Sequence, residues 1–183
     1  MNEPLLNFGK GPADPAAEKP VGLAQRLVFG RRPRSTLIRI LVFVTLVFVL
    51  FKWVFFSVRV TGISMEPTLR DGDIKLVNRR AYRSALPRRG DIVSVGELGK
   101  PGMLMKRIIA LPGETYSMRN GLLNIDGQPV QEPYVVNRAP WQLIPVTLGP
   151  DEFLVIGDNR GMDQQLHTFG RTERKYIVGK VVF

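Results

Sequence analysis

Length, composition and charge restrict the classes to which this chain can belong. Its 183 residues suffice for one domain with appendages, and 26 lysines and arginines against 16 acidic residues give a net charge of +10. The lack of cysteine excludes disulfides, thiolate zinc sites and cysteine nucleophiles, and the single histidine, His167, excludes a multi-histidine metal site. A basic chain of this kind is suited to nucleic acid or to an anionic membrane surface.

A polar tail and one long apolar segment come first. Residues 1–36 are rich in Pro, Gly, Ala and charge, which predicts a disordered basic tail with a short amphipathic piece over residues 23–29. Residues 37–56 are almost entirely apolar, and a helix of that length reaches about 30 Å, the thickness of a bilayer's hydrocarbon core. Arg39 and Lys52 lie near its ends, where long side chains reach the interface. The pattern predicts a transmembrane anchor over residues 37–56.

Two other interpretations of this apolar segment are less well supported than an uncleaved anchor. A buried helix of a soluble domain would show a polar face, and Ile40–Phe51 has only Thr45. A cleaved signal sequence would be followed by small residues, whereas Phe55 and Phe56 are bulky.

The arginines around the anchor predict its orientation. Five of them precede or open it, so the positive-inside rule places the N-terminus in the cytoplasm and residues 57–183 outside a bacterial cytoplasmic membrane, crossed once. That placement argues against a nucleic-acid partner for the arginines of residues 79–89. It favours a solvated or lipid-facing basic surface, with a phospholipid membrane as the partner.

The part after the anchor predicts β structure, because short runs of Val, Ile and Leu alternate with Gly, Pro and Asp. Asn120-Gly121 is typical of a type I′ hairpin turn. The expected fold is mostly β, a distorted antiparallel sandwich or barrel, after one N-terminal transmembrane helix. The predicted strands are Ile74–Asn78, Ile92–Val95, Met103–Leu111, Thr115–Arg119, Leu122–Ile125, Gln128–Val130, Val135-Val136, Leu143–Val146, Phe153–Ile156 and Tyr176–Val182.

A candidate nucleophile, Ser64, follows the anchor closely and precedes the turn-forming Pro67. Alone it is a weak signal, because serine is common in turns. Its base would be His167 or a lysine that is neutral near pH 7. In the predicted strand Met103–Leu111, Lys106 alternates with apolar neighbours, and a desolvated lysine loses pKa units. The sequence leaves open whether Lys106 is such a base or a solvent-facing lysine.

Four separated segments resemble type I signal peptidases, the membrane-anchored Ser-Lys proteases. They run in the family's order after the same kind of anchor, and the resemblance covers about residues 37–183. The matching segments are Ser64-Met65-Glu66-Pro67-Thr68 with Leu69 and Asp71-Gly72-Asp73, then Arg89-Gly90-Asp91-Ile92-Val93, then Lys106-Arg107-Ile108-Ile109-Ala110-Leu111-Pro112-Gly113-Glu114, and Gly157-Asp158-Asn159-Arg160 with Phe169-Gly170.

The resemblance implies a serine endopeptidase that cleaves signal peptides from exported preproteins at the outer face of the membrane. Ser64 would be the nucleophile and Lys106 its base, without metal or other cofactor. The family favours small residues at −1 and −3 of its substrates. By position, the candidate pocket walls are Met65, Leu69, Leu104 and Met105, for which core packing is an equal alternative.

One segment departs from the family's pattern. Where the family has a serine that orients the lysine, this chain has Asp163, and Gln165 and His167 replace the following Asp and Arg. Asp163 is therefore a candidate lysine-orienting residue that would raise the pKa of Lys106. Asp158 and Arg160 are expected to form a structural ion pair.

Three other functions compete with a general signal peptidase. One is a dedicated peptidase of the same family with a single substrate, such as a pilin of a conjugation system. Another is a catalytically silent, anchored β domain that binds exported chains, which the change at Asp163 favours and the intact Ser64 and Lys106 oppose. A soluble self-cleaving repressor also uses Ser and Lys, but the predicted anchor argues against it.

Overall fold

A computed structural model describes residues 33–96, 103–167 and 170–182. The predicted tail over residues 1–32, with its amphipathic piece, lies outside the described residues. The elements are α1 (Pro33–Val54), β1 (Phe55–Arg59), β2 (Ile74–Asn78), β3 (Ile92–Gly96), β4 (Met103–Ala110), β5 (Thr115–Arg119), β6 (Leu122–Ile125), β7 (Gln128–Pro129), β8 (Leu143–Thr147), β9 (Glu152–Ile156), β10 (Gly170–Glu173) and β11 (Ile177–Val182). Single 3-10 turns cover Gln164–Leu166 and Arg174–Tyr176.

Helix α1 is the one helix within the described residues that is long and apolar enough to cross a membrane. It begins at Pro33, inside the predicted tail, and ends at Val54, two residues before the predicted end of the anchor. Phe55 and Phe56 instead belong to β1, which pairs with β2 from Phe55↔Asn78 to Arg59↔Ile74. Backbone contacts divide the chain between Phe48 and Val49, and the unit that begins at Val49 contains the end of α1 and the eleven strands.

The strands form two antiparallel sheets, as the mostly-β prediction requires. The larger has seven strands in the order β1-β2-β11-β3-β4-β9-β10, and the smaller has four in the order β7-β6-β5-β8. Strand β4 is therefore an interior strand, hydrogen-bonded to β3 on one side and β9 on the other. A side chain on an interior strand is shielded on both sides by its neighbours, and this position determines the environment of Lys106.

The hairpin between β5 and β6 confirms the turn that Asn120-Gly121 predicts. Both residues have positive φ, 51° and 75°, the conformation of a type I′ turn. Arg119 and Leu122 pair directly across it.

Apart from β1 and from ends displaced by one residue, as at Leu111 and Tyr176, the strands differ from the prediction mainly at one false strand and one missed strand. Val135-Val136 lies outside both sheets, because a turn closed by Val135 N and Glu132 O precedes it and Val136 is 70% exposed. Strand β7 stops at Pro129, one residue before the predicted end. Strand β10 is not predicted, because its sequence Gly-Arg-Thr-Glu has no apolar alternation. It forms through backbone pairing with β9.

Three apolar clusters hold the domain together. The first lies between the two sheets and contains Ile109 and Leu154 of the larger with Met118 and Leu123 of the smaller. The second contains Met65, Leu69, Val77 and Met105, and it packs the chain after β1 onto the larger sheet. The third groups Val93, Ile108 and Phe153 around the centre of that sheet.

Gly179 lies where strands β11 and β2 approach each other closely. A Cβ at this position would lie 2.4 Å from Asn78 O and 2.8 Å from Asn78 C, which are backbone atoms of the neighbouring strand. Gly179→Ala should therefore lower the free energy of unfolding by about 2–4 kcal/mol, as other overpacked cores do. Urea denaturation followed by circular dichroism measures this change.

Gly96→Ala is the matched control, because a Cβ there meets its nearest neighbour at 3.5 Å, an ordinary contact. Equal unfolding free energies for the two variants would contradict the strand spacing described for β2 and β11.

Candidate active site

The first half of the site is the turn that carries Ser64 between β1 and β2. Leu69 N donates to Met65 O at 3.0 Å, which closes one helical turn and places these two side chains, four residues apart, on the same face. Met65 is 1% exposed and Leu69 is fully buried. Burial of each contributes about 1.5–3 kcal/mol. The turn is thereby held to the sheet on both sides of Glu66-Pro67, while Ser64 stays partly accessible.

The second half of the site is Lys106, near the middle of β4. It pairs with Val93 of β3 and is only 2% exposed. Its Nζ donates a hydrogen bond to Ser64 Oγ at 2.7 Å. The structure thus brings together the two residues that the sequence proposed as nucleophile and base, across 42 positions of the chain.

Burial changes the proton affinity of Lys106. Desolvation in the strand lowers its pKa from 10.5 to about 8, against a smaller opposing effect from the negative charge of Asp158. At pH 7 roughly a tenth of a group with that pKa is neutral, compared with about three in ten thousand for an ordinary lysine. A neutral amine within hydrogen-bonding distance of a serine hydroxyl can accept its proton.

Asp158 is held by Arg107, the neighbour of Lys106. Arg107 donates through Nε to Asp158 Oδ1 at 2.8 Å and through Nη2 to Oδ2 at 2.6 Å, a bidentate pair. Thr68 Oγ1 donates to the same carboxylate, and the Arg107 guanidinium lies 4.1 Å from the centroid of the Tyr134 ring. Asp158 therefore ties the Ser64 turn to β4 in addition to its effect on the lysine.

Residues 157–160, which follow β9, complete the support of Ser64. Asn159 N donates to Ser64 O and Asn159 Nδ2 donates to Ile63 O, both at 3.0 Å. A Cβ on Gly157 would lie 2.1 Å from Ser64 O, so the backbone here approaches too closely for any other residue. These contacts fix the carbonyl groups of both Ile63 and Ser64.

The expected Asp158–Arg160 ion pair does not form. Asp158 binds Arg107, whereas Arg160, 1% exposed, binds Glu132 with Nη2 and Oε1 at 2.6 Å. Glu132 lies in the connection between β7 and β8 and also accepts from Tyr134 and Arg138. Glu132, the acidic partner of Arg160, lies 28 positions away in the sequence, and no sequence motif predicts this pairing.

Asp163 does not take the lysine-orienting place that the sequence comparison suggested. Its carboxylate accepts from Gln165 N at 3.1 Å and caps the 3-10 turn Gln164–Leu166. The charge that acts on the pKa of Lys106 is that of Asp158. An aspartate before a short helical turn is a common cap, and this local role explains the residue.

His167, the other candidate base, is also placed by the structure. It is 4% exposed and packs edge-on against Trp141, with ring centroids 5.0 Å apart. Its imidazole adjoins Gly157, where an added Cβ would lie 2.7 Å from Nε2. It is Lys106, and not His167, that reaches Ser64 Oγ.

A small cavity of about 30 Å³ opens beside Ser64. Three of the four predicted pocket walls, Met65, Leu104 and Met105, line it together with Ser64. Leu69 is fully buried in the second apolar cluster, so its place is in the core. The remaining lining residues are Arg59, Val60, Thr61, Gly62 and Met103.

An antiparallel β domain that joins a serine hydroxyl to a buried lysine has the arrangement that a serine hydrolase with a lysine base requires. The family model described as signal peptidase, peptidase S26, matches residues 34–183. This chain belongs to that family.

Two relatives agree with the family match by sequence. A signal peptidase I of Leptolyngbya laminosa is 36% identical over 127 residues, which cover 65% of this chain and 63% of the relative. One of Bacillus licheniformis is 33% identical over 156 residues, which cover 79% and 83%. A crystal structure of a signal peptidase I from Enterococcus faecalis V583 aligns with a TM-score of 0.44 and 25% identity, over 53% of this chain and 97% of that chain. The chain thus aligns with less than two thirds of the length of the Leptolyngbya relative.

Asp158 and Asp163 give different predictions for the acidic limb of the pH–rate profile. Asp158→Asn removes the charge that raises the pKa of Lys106, so the limb of kcat/KM should move to lower pH. The variant should also lose about 3 kcal/mol of stability, because Arg107 loses its partner. Asp163→Asn should leave the limb where it is, since its carboxylate binds Gln165 N. Peptide cleavage measured across pH tests both, and an equal displacement in the two variants would contradict the described site.

Proposed function

We propose that this chain is a membrane-anchored serine endopeptidase that removes signal peptides from exported preproteins with a Ser64–Lys106 dyad. The observation that carries the proposal is the 2.7 Å hydrogen bond between Lys106 Nζ and Ser64 Oγ, made by a lysine that is 2% exposed. Membership of the signal peptidase family, peptidase S26, supplies the substrate class.

In the proposed reaction, neutral Lys106 accepts the Ser64 hydroxyl proton as Oγ attacks the scissile carbonyl. The tetrahedral intermediate collapses to an acyl-enzyme when the lysine ammonium returns that proton to the leaving amine. Water, deprotonated by the same lysine, then hydrolyses the ester and releases Ser64. The backbone N–H of Ser64 is the proposed donor to the oxyanion. Gly62 carries no hydroxyl, and its own N–H already binds Asp71 Oδ1 at 2.7 Å, so it adds no donor.

The shape of the pocket supports a substrate with small side chains before the scissile bond. A cavity of about 30 Å³ is small for a site that receives a side chain, and this favours a small group there. Met65 and Met105 also belong to a packed cluster and cannot withdraw without opening the core. Alanine or glycine at −1 suits this constraint best.

The position of the nucleophile supports action close to a bilayer. Ser64 follows the last residue of α1, Val54, by ten residue steps, which span at most about 36 Å. A peptide bond near the membrane surface is within that reach. The proposed location is the outer face of a bacterial cytoplasmic membrane, with α1 as a single anchor and the N-terminus inside.

The geometry argues against a catalytically silent binding domain. That alternative depended on Asp163 raising the pKa of Lys106, whereas Asp163 caps a turn and Lys106 keeps a lowered pKa. A dedicated peptidase with one substrate shares this mechanism, and it differs only in the range of preproteins that are cleaved.

Loss of either dyad residue should abolish cleavage. Ser64→Ala and Lys106→Met should each lower kcat/KM at least ~1000-fold, because a nucleophile and its base act as one unit. Lys106→Arg should fail equally, since arginine stays protonated. Preprotein cleavage in detergent provides the measurement, with Lys175→Met, at an exposed lysine paired with Glu173, as the control. Cleavage within tenfold of wild type by Lys106→Met would exclude this lysine as the base.

Lys106→Met should also separate catalysis from folding. At pH 7 it removes a buried cation, so it should raise the free energy of unfolding by about 3 kcal/mol. Between pH 8 and 10.5 the unfolded chain retains the lysine proton that the folded chain has lost, so stability rises with pH in this window. The wild type should show this rise and Lys106→Met should lack it.

The proposed topology has its own test. An alkaline phosphatase fused after Phe183 should be active in bacteria, because residues 57–183 are proposed to lie outside the membrane. A cytoplasmic β-galactosidase at the same position serves as the reciprocal control. Activity of the second fusion alone would contradict both the topology and the proposed substrate.

A further inference from the structure

The proposed reaction leaves one basic segment without a role. Residues 79–89, here named the arginine loop, connect β2 to β3, and residues 74–90 contain no acidic residue. The loop carries five arginines, Arg79, Arg80, Arg83, Arg88 and Arg89. None of them lines the cavity beside Ser64.

The arginine loop begins against the C-terminal end of α1. Arg79 N donates to Val54 O at 3.0 Å, which bonds the loop to the last helical residue. The Arg79 guanidinium lies 4.6 Å from the centroid of the Phe56 ring, and that of Arg80 lies 4.3 Å from the Trp53 ring. Two cations are thus stacked on aromatic rings where the apolar helix ends, and such stacking leaves the edges of a guanidinium available to donate.

The rest of the loop is held in place by contacts that do not use the guanidinium groups of Arg83 and Arg88. Asp91 Oδ2 accepts from Tyr82 Oη at 2.9 Å and from Arg88 N at 3.1 Å. Arg174 Nη2 donates to Tyr82 O at 2.9 Å. Tyr82 and Asp91 therefore hold the loop without the Arg83 and Arg88 side chains, whereas Arg89 Nη1 also anchors it by donating to Ile109 O at 2.7 Å.

The nearby carboxylates already pair with Lys180 and with Arg89 of the loop, and not with Arg83 or Arg88. Asp91 Oδ1 binds Lys180 at 2.6 Å, and Glu114 binds Arg89 at 2.6 Å. Arg83 and Arg88 are exposed, and among the described residues neither has an acidic partner. Their positive charge is consequently directed at solvent, on the loop that contacts the end of α1.

Exposed apolar side chains accompany these charges. Trp53 and Leu86 are each 65% exposed, one under the start of the loop and one near its middle. Surfaces that lie in the headgroup layer of a membrane typically combine tryptophan and leucine with arginine. Their rings and alkyl groups enter the bilayer, and their cations stay beside the lipid phosphates.

We propose that the arginine loop binds the phosphate groups of anionic phospholipids in the leaflet where α1 ends. Guanidinium groups suit this ligand because they donate two hydrogen bonds to one phosphate and stay charged at all physiological pH values. The contact orients the domain on the membrane surface. This inference rests on the proposal that α1 spans the membrane, but not on the peptidase activity.

The absence of cysteine makes a direct test straightforward, since one introduced cysteine is a unique labelling site. The full chain with Leu86→Cys carries an environment-sensitive fluorophore and is reconstituted into nanodiscs of phosphatidylcholine, or of phosphatidylcholine with increasing phosphatidylglycerol. A second label at Ile144→Cys, 80% exposed on β8 of the smaller sheet, reports the general effect of lipid charge. Arg83→Gln with Arg88→Gln removes two loop charges, and Arg119→Gln with Arg171→Gln removes the same charge elsewhere.

The expected result is a blue shift of the label at position 86 that grows with phosphatidylglycerol and disappears in Arg83→Gln/Arg88→Gln. The shift should weaken when salt shortens the Debye length from about 10 Å to a few Å. The label at position 144 and the Arg119→Gln/Arg171→Gln variant should show no such change. A response that is absent, or equal in the two double variants, overturns the proposal, as does a response to short duplex DNA in detergent without one to lipid. Failure to enter nanodiscs would refute the anchor itself, whereas a missing lipid response in inserted protein refutes only the loop's role.

Discussion

The burial of Lys106 against Ser64 is the constraint on which the rest of the site depends. A lysine that is 2% exposed costs free energy while it is protonated, and that cost is the reason its pKa falls to about 8. The position requires an interior strand, because only a strand flanked on both sides excludes enough water. β4 meets this requirement between β3 and β9, and the turn after β1 closes the remaining side.

Buried ion pairs hold the two halves of the site at a fixed separation. Arg107 and Asp158 connect β4 to the loop after β9, and Thr68 connects that carboxylate to the Ser64 turn. Arg160 and Glu132 attach the same loop to the connection between β7 and β8. Such pairs add little net stability, since desolvation offsets their attraction, but each has one well-defined geometry. We infer that their role is to position Ser64 and Lys106 rather than to stabilise the fold.

The sequence predicts those features that depend on local pattern or on a family motif. Strands β2, β5 and β6 follow from alternation and turn residues, and the pairing of Ser64 with Lys106 follows from the matched segments. The sequence does not predict strand β1, because Phe55 and Phe56 continue the apolar run and no local residue marks the change from helix to strand. The sequence predicts an ion pair between Asp158 and the nearby Arg160, whereas long-range packing pairs Asp158 with Arg107. Asp163 shows the same limit, since an alignment position does not determine where a side chain points.

The most direct test of the central claim is the pKa of Lys106 itself. NMR of the full chain in detergent, with its lysines labelled at 13Cε, should contain one resonance that is missing from the Lys106→Met spectrum. The chemical shift of that resonance can be followed as the pH changes. The structure predicts a midpoint near 8, well below the 10.5 of an ordinary lysine, and the same midpoint in the acidic limb of kcat/KM. A midpoint near 10.5 would show that Lys106 is a solvated cation, and it would contradict the account of Lys106 as the base for Ser64.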